Sequence, residues 1–253
     1  MARDFNGTTD RIDWASVFTT SGQALTIGLW AWFDDLNPTG SQYLFNGSKS
    51  NGGAGTSFFQ QQLSDGKLAF NRNGATVKDR RSALDVVAAG VWTHCLVTDD
   101  GSMTAANAHI YVSGAEVPSY TTTTDGATET AATGVWSIGG RFADDLRNLD
   151  GRIAEVGVWN RELAAGEIAL LAAGYAPIAI PSGLRFWAPV IGSTTEHNRL
   201  GDAASTIDGT AIIAHPRVIY PSRTQVLVTP AGGGGPAVGM PEVWAQYRRR
   251  FAG

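Results

Sequence analysis

The residues of this chain best suited to chemistry are four histidines, one cysteine and three adjacent acid pairs, Asp34-Asp35, Asp99-Asp100 and Asp144-Asp145. Hydrolysis by paired carboxylates needs two acids converging on one cleft, which on a strand means an even spacing. Adjacent acids point to opposite faces or to solvent, so all three pairs are read as turn formers. His94 and His109 fall in strand-like segments, His197 and His215 in loops, and their scatter favours structural or surface imidazoles. Cys95 stands alone, which excludes an internal disulfide, and no Cys and His spacing matches a zinc site. A nucleophile elbow, a His-Glu-x-x-His helix and a glycine-rich phosphate loop are all missing. No enzymatic activity is expected.

Aromatic residues offer the other route to a ligand, since indole faces stack on flat or apolar surfaces. Of eight tryptophans, Trp30, Trp32, Trp92, Trp136, Trp159 and Trp187 are flanked by apolar residues and are assigned to core packing. Trp14 and Trp244 lie in contexts that read as exposed. Trp14 suits the covering of a sheet edge or the stacking of a ligand, and Trp244 suits a protein interface.

The elements that must position these residues are strands. Period-2 alternation runs through Ala24 to Phe33 and Trp92 to Thr98, and turn signals such as Asp65-Gly66, Asn73-Gly74, Asp100-Gly101 and Ser113-Gly114 lie between such segments. A meander of antiparallel strands follows. Glu162 to Ala173 is the one helical stretch before the tail, ended by Gly174. Asn37 to Thr56 and Thr121 to Gly134 are rich in Ser, Thr, Gly and Asn and are expected to be surface loops.

With 253 residues and 43% hydrophobic content the chain can bury one large core, and its 31 glycines suit frequent turns. The longest apolar run, Ile168 to Ile180, is broken by Gly174 and Pro177 and is too short for a membrane span. No apolar leader precedes the first strand-like segment, so the chain is expected to stay where it is made. The triplets Asn6-Gly7-Thr8 and Asn46-Gly47-Ser48 are read as turns.

Charge is divided along the chain. From Pro216 onward five arginines face one acid, Glu242, giving +4 against −8 for the rest. Within that tail Gly232 to Gly235, Pro236 and Pro241 read as a linker, and Pro241 to Phe251 as a short amphipathic helix that needs a partner. Val243, Trp244, Tyr247, Arg248, Arg249, Arg250 and Phe251 are the candidate assembly interface. A basic arm on an acidic body predicts attraction to an acidic surface, another copy of the body included.

Taken in order, Phe5-Asn6-Gly7-Thr8-Thr9-Asp10-Arg11-Ile12, Leu25-Thr26-Ile27-Gly28-Leu29-Trp30, Asp65-Gly66-Lys67-Leu68, Trp92-Thr93-His94, Ile110-Tyr111-Val112-Ser113-Gly114, Ile138-Gly139 and Gly151 to Leu163 resemble the laminin-G-like, concanavalin-A-like jelly-roll superfamily. The resemblance implies an all-β antiparallel jelly-roll sandwich with one short helix and an extended C-terminal arm. It implies a sandwich over residues 1–215, with 184–213 supplying strands that relatives carry at their start, and an arm over 216–253. It also implies calcium, but the family's Gly-x-Ile-Asp-Glu has Ala154 at the Asp position and leaves Asp150 and Glu155 as the nearby acids. No cofactor is expected, a structural calcium at most.

The arrangement most resembles members encoded in bacteriophage genomes. It implies a virion component, a capsid decoration or a head or tail fibre protein, made in the host cytoplasm. Its implied partners are capsid or tail proteins and further copies of itself, with neither nucleic acid nor membrane among them. The alternative is a lectin-like module that binds cell-surface glycan.

Overall fold

A computed structural model describes residues 2–15, 22–36, 41–48, 54–60, 66–83, 86–130, 134–142, 147–191, 205–214 and 216–220. These residues form β1 (Ala2–Asn6), β2 (Arg11–Trp14), β3 (Leu25–Phe33), β4 (Gln42–Ser48), β5 (Ala54–Gln60), β6 (Leu68–Arg72), β7 (Gly74–Thr76), β8 (Lys78–Ser82) and β9 (Thr93–Asp99). There follow β10 (Ala108–Val112), β11 (Ala115–Glu116), β12 (Tyr120–Thr124), β13 (Ala127–Glu129), β14 (Trp136–Ile138) and β15 (Asp150–Trp159). After α1 (Ala165–Ala172) come β16 (Leu184–Ala188), β17 (Ser205–Asp208) and β18 (Ala211–Ile213). Sheet 1 runs β11-β10-β9-β3-β15-β1-β18, with β16 also on β15; sheet 2 runs β12-β8-β6-β5-β4-β14-β2-β17. Every strand pair is antiparallel. The result is an antiparallel β-sandwich with one α-helix among the described residues.

Alternation decides what each strand gives to the space between the sheets. On β3 the residues Leu25, Ile27, Leu29, Ala31 and Phe33 enter the main core, which they share with Phe5, Ile12, Phe45, Phe58, Phe70, Trp136 and Ile153. Trp14 belongs there too, at 1% exposure and edge-on to Phe186 at 5.1 Å. This overturns its assignment as an exposed indole. On β2 Ile12 and Trp14 share the inward face, and β17 covers the strand's outer edge.

The polar stretch from Asn37 to Thr56 is also not all loop. It contains β4, every residue of which is buried between β5 and β14, including Gln42, Asn46 and Ser48. Composition misled here because a central strand satisfies its polar backbone through its neighbours and tolerates small polar side chains. Within the expected loop Thr121 to Gly134, most of β12 and all of β13 likewise pair as strands, with β8 and β7.

Asp99, expected in a turn, ends β9 in a fully buried position and meets both Lys78 and Arg72. Arg72 extends the cluster to Glu129 at 2.9 Å and to the Gln23 carbonyl at 2.6 Å, while Lys78 donates to the Ser102 carbonyl at 2.8 Å. Asp100 does form the turn, accepting the Ser102 amide at 2.9 Å. At Ser113-Gly114 both residues have positive φ, 50° and 87°, as a tight hairpin between β10 and β11 demands.

Two corners close the sandwich. The turn at Asn6, whose Oδ1 accepts the Thr8 and Thr9 amides at 2.9 and 3.0 Å, carries the chain from β1 in sheet 1 to β2 in sheet 2. Residues 205–213 make the reverse crossing beside it, β17 pairing with β2 and β18 with β1. The corners touch closely at Gly209, where an added Cβ would fall 2.0 Å from Asp10 Oδ1. The chain divides into Met1–Pro221 and Ser222–Gly253. The arm residues Val243, Trp244, Tyr247, Arg248, Arg249, Arg250 and Phe251, and the helix expected over Pro241 to Phe251, lie outside the described residues.

Candidate functional site

Because Leu29, Ala31 and Phe33 use the core face of β3, the alternate residues Gly28, Trp30 and Trp32 must face away from it. The same rule turns His94 and Leu96 outward on β9, and Arg152 and Trp159 outward on β15. Part of this outer face of sheet 1 is covered by α1. Ile168 and Leu171 pack with Leu163, Leu96, Trp159 and Ile180 in a second apolar cluster. The helix is shorter than the expected Glu162 to Ala173. Its start is fixed by Glu167, which accepts the Ala164 amide at 2.9 Å and pairs with Arg161 at 2.6 Å.

The uncovered part of the face carries aromatic rings. Trp30, Trp32 and Trp92 are half-buried there, which corrects their assignment to the core. Apolar flanks could not reveal this, since on a strand the flanking residues belong to the opposite face. Trp32 and Trp92 meet edge-to-face at 6.0 Å. The Trp32 indole is oriented by its Nε1, which donates to Asp34 Oδ1 at 2.7 Å, and by the Arg152 guanidinium 4.7 Å from its ring centre. Arg152 in turn meets Asp4 at 3.1 Å and Asp34 at 3.9 Å. Burial, followed by Asp34, Asp35 and Asp4, raises the Asp150 carboxyl above the usual carboxylate range. Acids from three separate elements thus gather at one end of the strip, a grouping that pairwise spacing along one strand could not show. No three His, Cys, Asp or Glu side chains among the described residues are grouped to hold a metal ion.

Beside Trp30 the strip ends in a small pocket at the edge of the helical cap. Its lining is Gly28, Trp30, His94, Glu155 and Trp159 from the sheet, and Leu171, Tyr175 and Pro177 from the cap side. Gly28 and Gly157 lie opposite each other in the β3–β15 register and keep its floor low. An added Cβ on Gly157 would come within 2.5 Å of the Trp159 ring.

Glu155 reaches this face through a β-bulge. Its φ is +51°, and the β3–β15 register slips between Ala154 and Gly157. Beyond the bulge β15 exchanges its edge partner, from β1 at Asp150 to Ile153 to β16 at Val156 to Trp159. The carboxylate accepts from Trp187 Nε1 at 2.9 Å and from the Tyr220 hydroxyl. Tyr220 is held close because Ile219 bonds back to Gly174 and Ala176. In the sequence Glu155 stands out only as an acid near the family's calcium motif, because Trp187 and Tyr220, which donate to it, come from distant segments.

His94 is 2% exposed, and burial pushes its imidazole down to about 3. Its Nδ1 has no hydrogen-bond partner among the described residues. His109, the other strand histidine, belongs to an outlying surface cluster, with Nδ1 at 2.7 Å from Glu116, which also accepts from the Tyr120 hydroxyl at 2.9 Å.

Sheet 1 thus carries outward tryptophans beside a small pocket at the edge of the helical cap, on an antiparallel β-sandwich. The chain belongs to the concanavalin A-like lectin/glucanase superfamily, in its laminin-G-like family, whose profile matches residues 6–169. Comparison with curated proteins gives no match. Among solved structures, a protein of Bacteroides ovatus described as carbohydrate-binding superposes with a TM-score of 0.59 at 16% identity, covering 83% of this chain and 59% of its own. A heptameric pentraxin of Limulus polyphemus superposes with a TM-score of 0.50 at 17% identity, covering 68% of this chain and 81% of its own. At these identities the likeness is one of fold.

Proposed function

We propose that this chain is a non-enzymatic carbohydrate-binding module that receives its ligand on the outer face of sheet 1. The observation that carries this reading is the strip of Trp30 and Trp32, turned outward by strand alternation, with Trp92 packed on Trp32 and Arg152 and Asp34 alongside. Oriented indoles offer apolar area at little entropic cost, and flanking charged groups supply hydrogen bonds to hydroxyls. Superfamily membership supports the reading at the level of fold.

A glycan array with the whole chain tests it. Replacing Trp32 with alanine is expected to weaken the best array ligand at least about tenfold, the ~1.4 kcal/mol that a lost aromatic contact costs, while the thermal unfolding transition remains cooperative. An array without binders, or full affinity in both Trp32→Ala and Trp92→Ala, would sink the reading.

A second role is assembly, as a bacteriophage virion component joined through the arm to capsid or tail proteins and to further copies of itself. It is supported by the division of the chain at Pro221 and by charge. Ser222–Gly253 holds four arginines against Glu242, a net +3, which leaves −7 of the total −4 to the remainder. Removing residues 222–253 is expected to abolish self-association or particle association in sedimentation experiments, and association unchanged by the deletion would rule the role out.

A further inference from the structure

The edge of the helical cap is tied down by residues 216–220, which cross the end of α1 as a strap. Ile219 donates its amide to the Gly174 carbonyl at 2.6 Å and accepts from the Ala176 amide at 3.0 Å, in a parallel bridge to Tyr175. Gly174 has a φ of +96°, and an added Cβ there would fall 2.8 Å from the Arg217 carbonyl oxygen, so the strap lies directly on the turn that ends the helix. Tyr220 completes the strap by donating to Glu155, with its ring 6.5 Å from that of Trp187. Tyr175 and Glu155, both gripped by the strap, are also walls of the cap-edge pocket. A third wall is His94, 2% exposed, its ring 5.4 Å from that of Trp30 and its Nδ1 without a hydrogen-bond partner among the described residues.

We infer that His94 is an acid-operated latch: when its imidazole takes up a proton, the cap edge parts and the strap of residues 216–220 lets go. An imidazolium carries two N–H donors, and a buried ring with no partner at Nδ1 leaves one of them unmet, in keeping with an imidazole that burial pushes down to about 3. The ring can therefore charge only where water reaches it. Gly28, Trp30, Glu155 and Trp159 belong to β3 and β15, which are paired on both sides, and α1 is anchored by Ile168 and Leu171 in the second apolar cluster. Tyr175 and Pro177 lie beyond the helix, held by the two backbone bonds to Ile219. The strapped edge is thus the wall that opens at least loss of packing, as a local event short of global unfolding. The ionisable groups around the ring are the Glu155 carboxylate from β15 and the Tyr175 hydroxyl from beyond α1. Gly28, Trp30, Trp159, Leu171 and Pro177 bring no charge, nor does Ser113, whose amide donates to the His94 carbonyl at 2.8 Å. Acid then favours the open state through the proton that this state alone binds.

Amide hydrogen exchange on the whole chain at pH 7.5 and pH 4.5, normalised to intrinsic rates, reads the latch. The lower condition lies two pH units below the ordinary histidine value, so protection of the Ile219 and Ala176 amides is expected to fall about a hundredfold between the two. The Ile27 and Val97 amides, in β3 and β9, are expected to stay better protected than either at both pH values. His94→Gln, which cannot charge, is expected to give the strap equal protection at the two pH values. Tyr220→Phe, which lacks the hydroxyl that reaches Glu155, is expected to lower protection at both while the hundredfold fall persists. Three results overturn the inference. Strap protection in the wild-type chain does not change with pH; it falls as far in His94→Gln, which traces the effect to a carboxylate such as Glu155; or it matches that of Ile27 and Val97, which reports global unfolding.

Discussion

Replacing Asp99 with alanine is expected to lower the unfolding free energy by about 3–5 kcal/mol, because it strands two buried cations at once. Arg72 and Lys78 are both fully buried, and both meet this carboxylate. Burial holds the Asp99 carboxyl above the usual range, although Arg72 and Lys78 pull it down. The cluster therefore stabilises through its completeness: each charge is costly to bury, and removal of one leaves the others uncompensated. The cations also tie β6 and β8 of sheet 2 to β9 of sheet 1, so the damage spreads beyond one contact. Denaturant titration of Asp99→Ala measures the effect, and the double variant Asp99→Ala with Lys78→Met should regain part of it. A loss below about 1 kcal/mol, the size of a surface pair, would show that water reaches the cluster.

Acid is expected to destabilise the wild-type chain more than a His94→Phe variant. The imidazole, ordinarily near 6.5, is pushed to about 3 by burial. Between those values the unfolded chain binds a proton that the folded chain refuses. Stability therefore falls on acidification by about 1.4 kcal/mol per pH unit through this interval. Above the unfolded value both states are neutral and His94 contributes no slope. Glu155 is the carboxylate that shares its pocket, while Trp30, Tyr175 and Trp159 complete the surroundings without charge. Carboxylates elsewhere titrate in both proteins and cancel in the comparison. The difference in unfolding free energy between variant and wild type should thus grow by about 2–3 kcal/mol from pH 7.5 to pH 4.5. Parallel stability curves over that range would show that the folded imidazole takes up its proton normally.

Strand signals served well where alternation was clean, as along Leu25–Phe33, and where a turn chemistry was specific, as at Ser113-Gly114. They failed at Gln42–Ser48, whose Gln, Asn and Ser read as loop although the strand is central to sheet 2. Polarity along a segment reports what the side chains prefer, whereas burial depends on what covers them. Asp99 was misread for the same reason, since the cations that pair with it lie more than 20 residues earlier in the chain.

Sequence by itself determined the kind of sandwich this chain forms, because period 2, glycine turns and the ordered family motifs are local features written into neighbouring residues. It also separated a basic tail from an acidic body, a matter of counting. Which tryptophans face away from the core was settled only by tertiary structure. Alternation says that Trp30 and Trp32 share a face, but both faces of β3 are rich in apolar residues, and only the packing of Leu29, Ala31 and Phe33 against sheet 2 turns the indoles outward. The pocket was still less legible. His94, Glu155, Tyr175 and Tyr220 come from segments far apart, and a one-residue bulge that re-aims Glu155 brings them together.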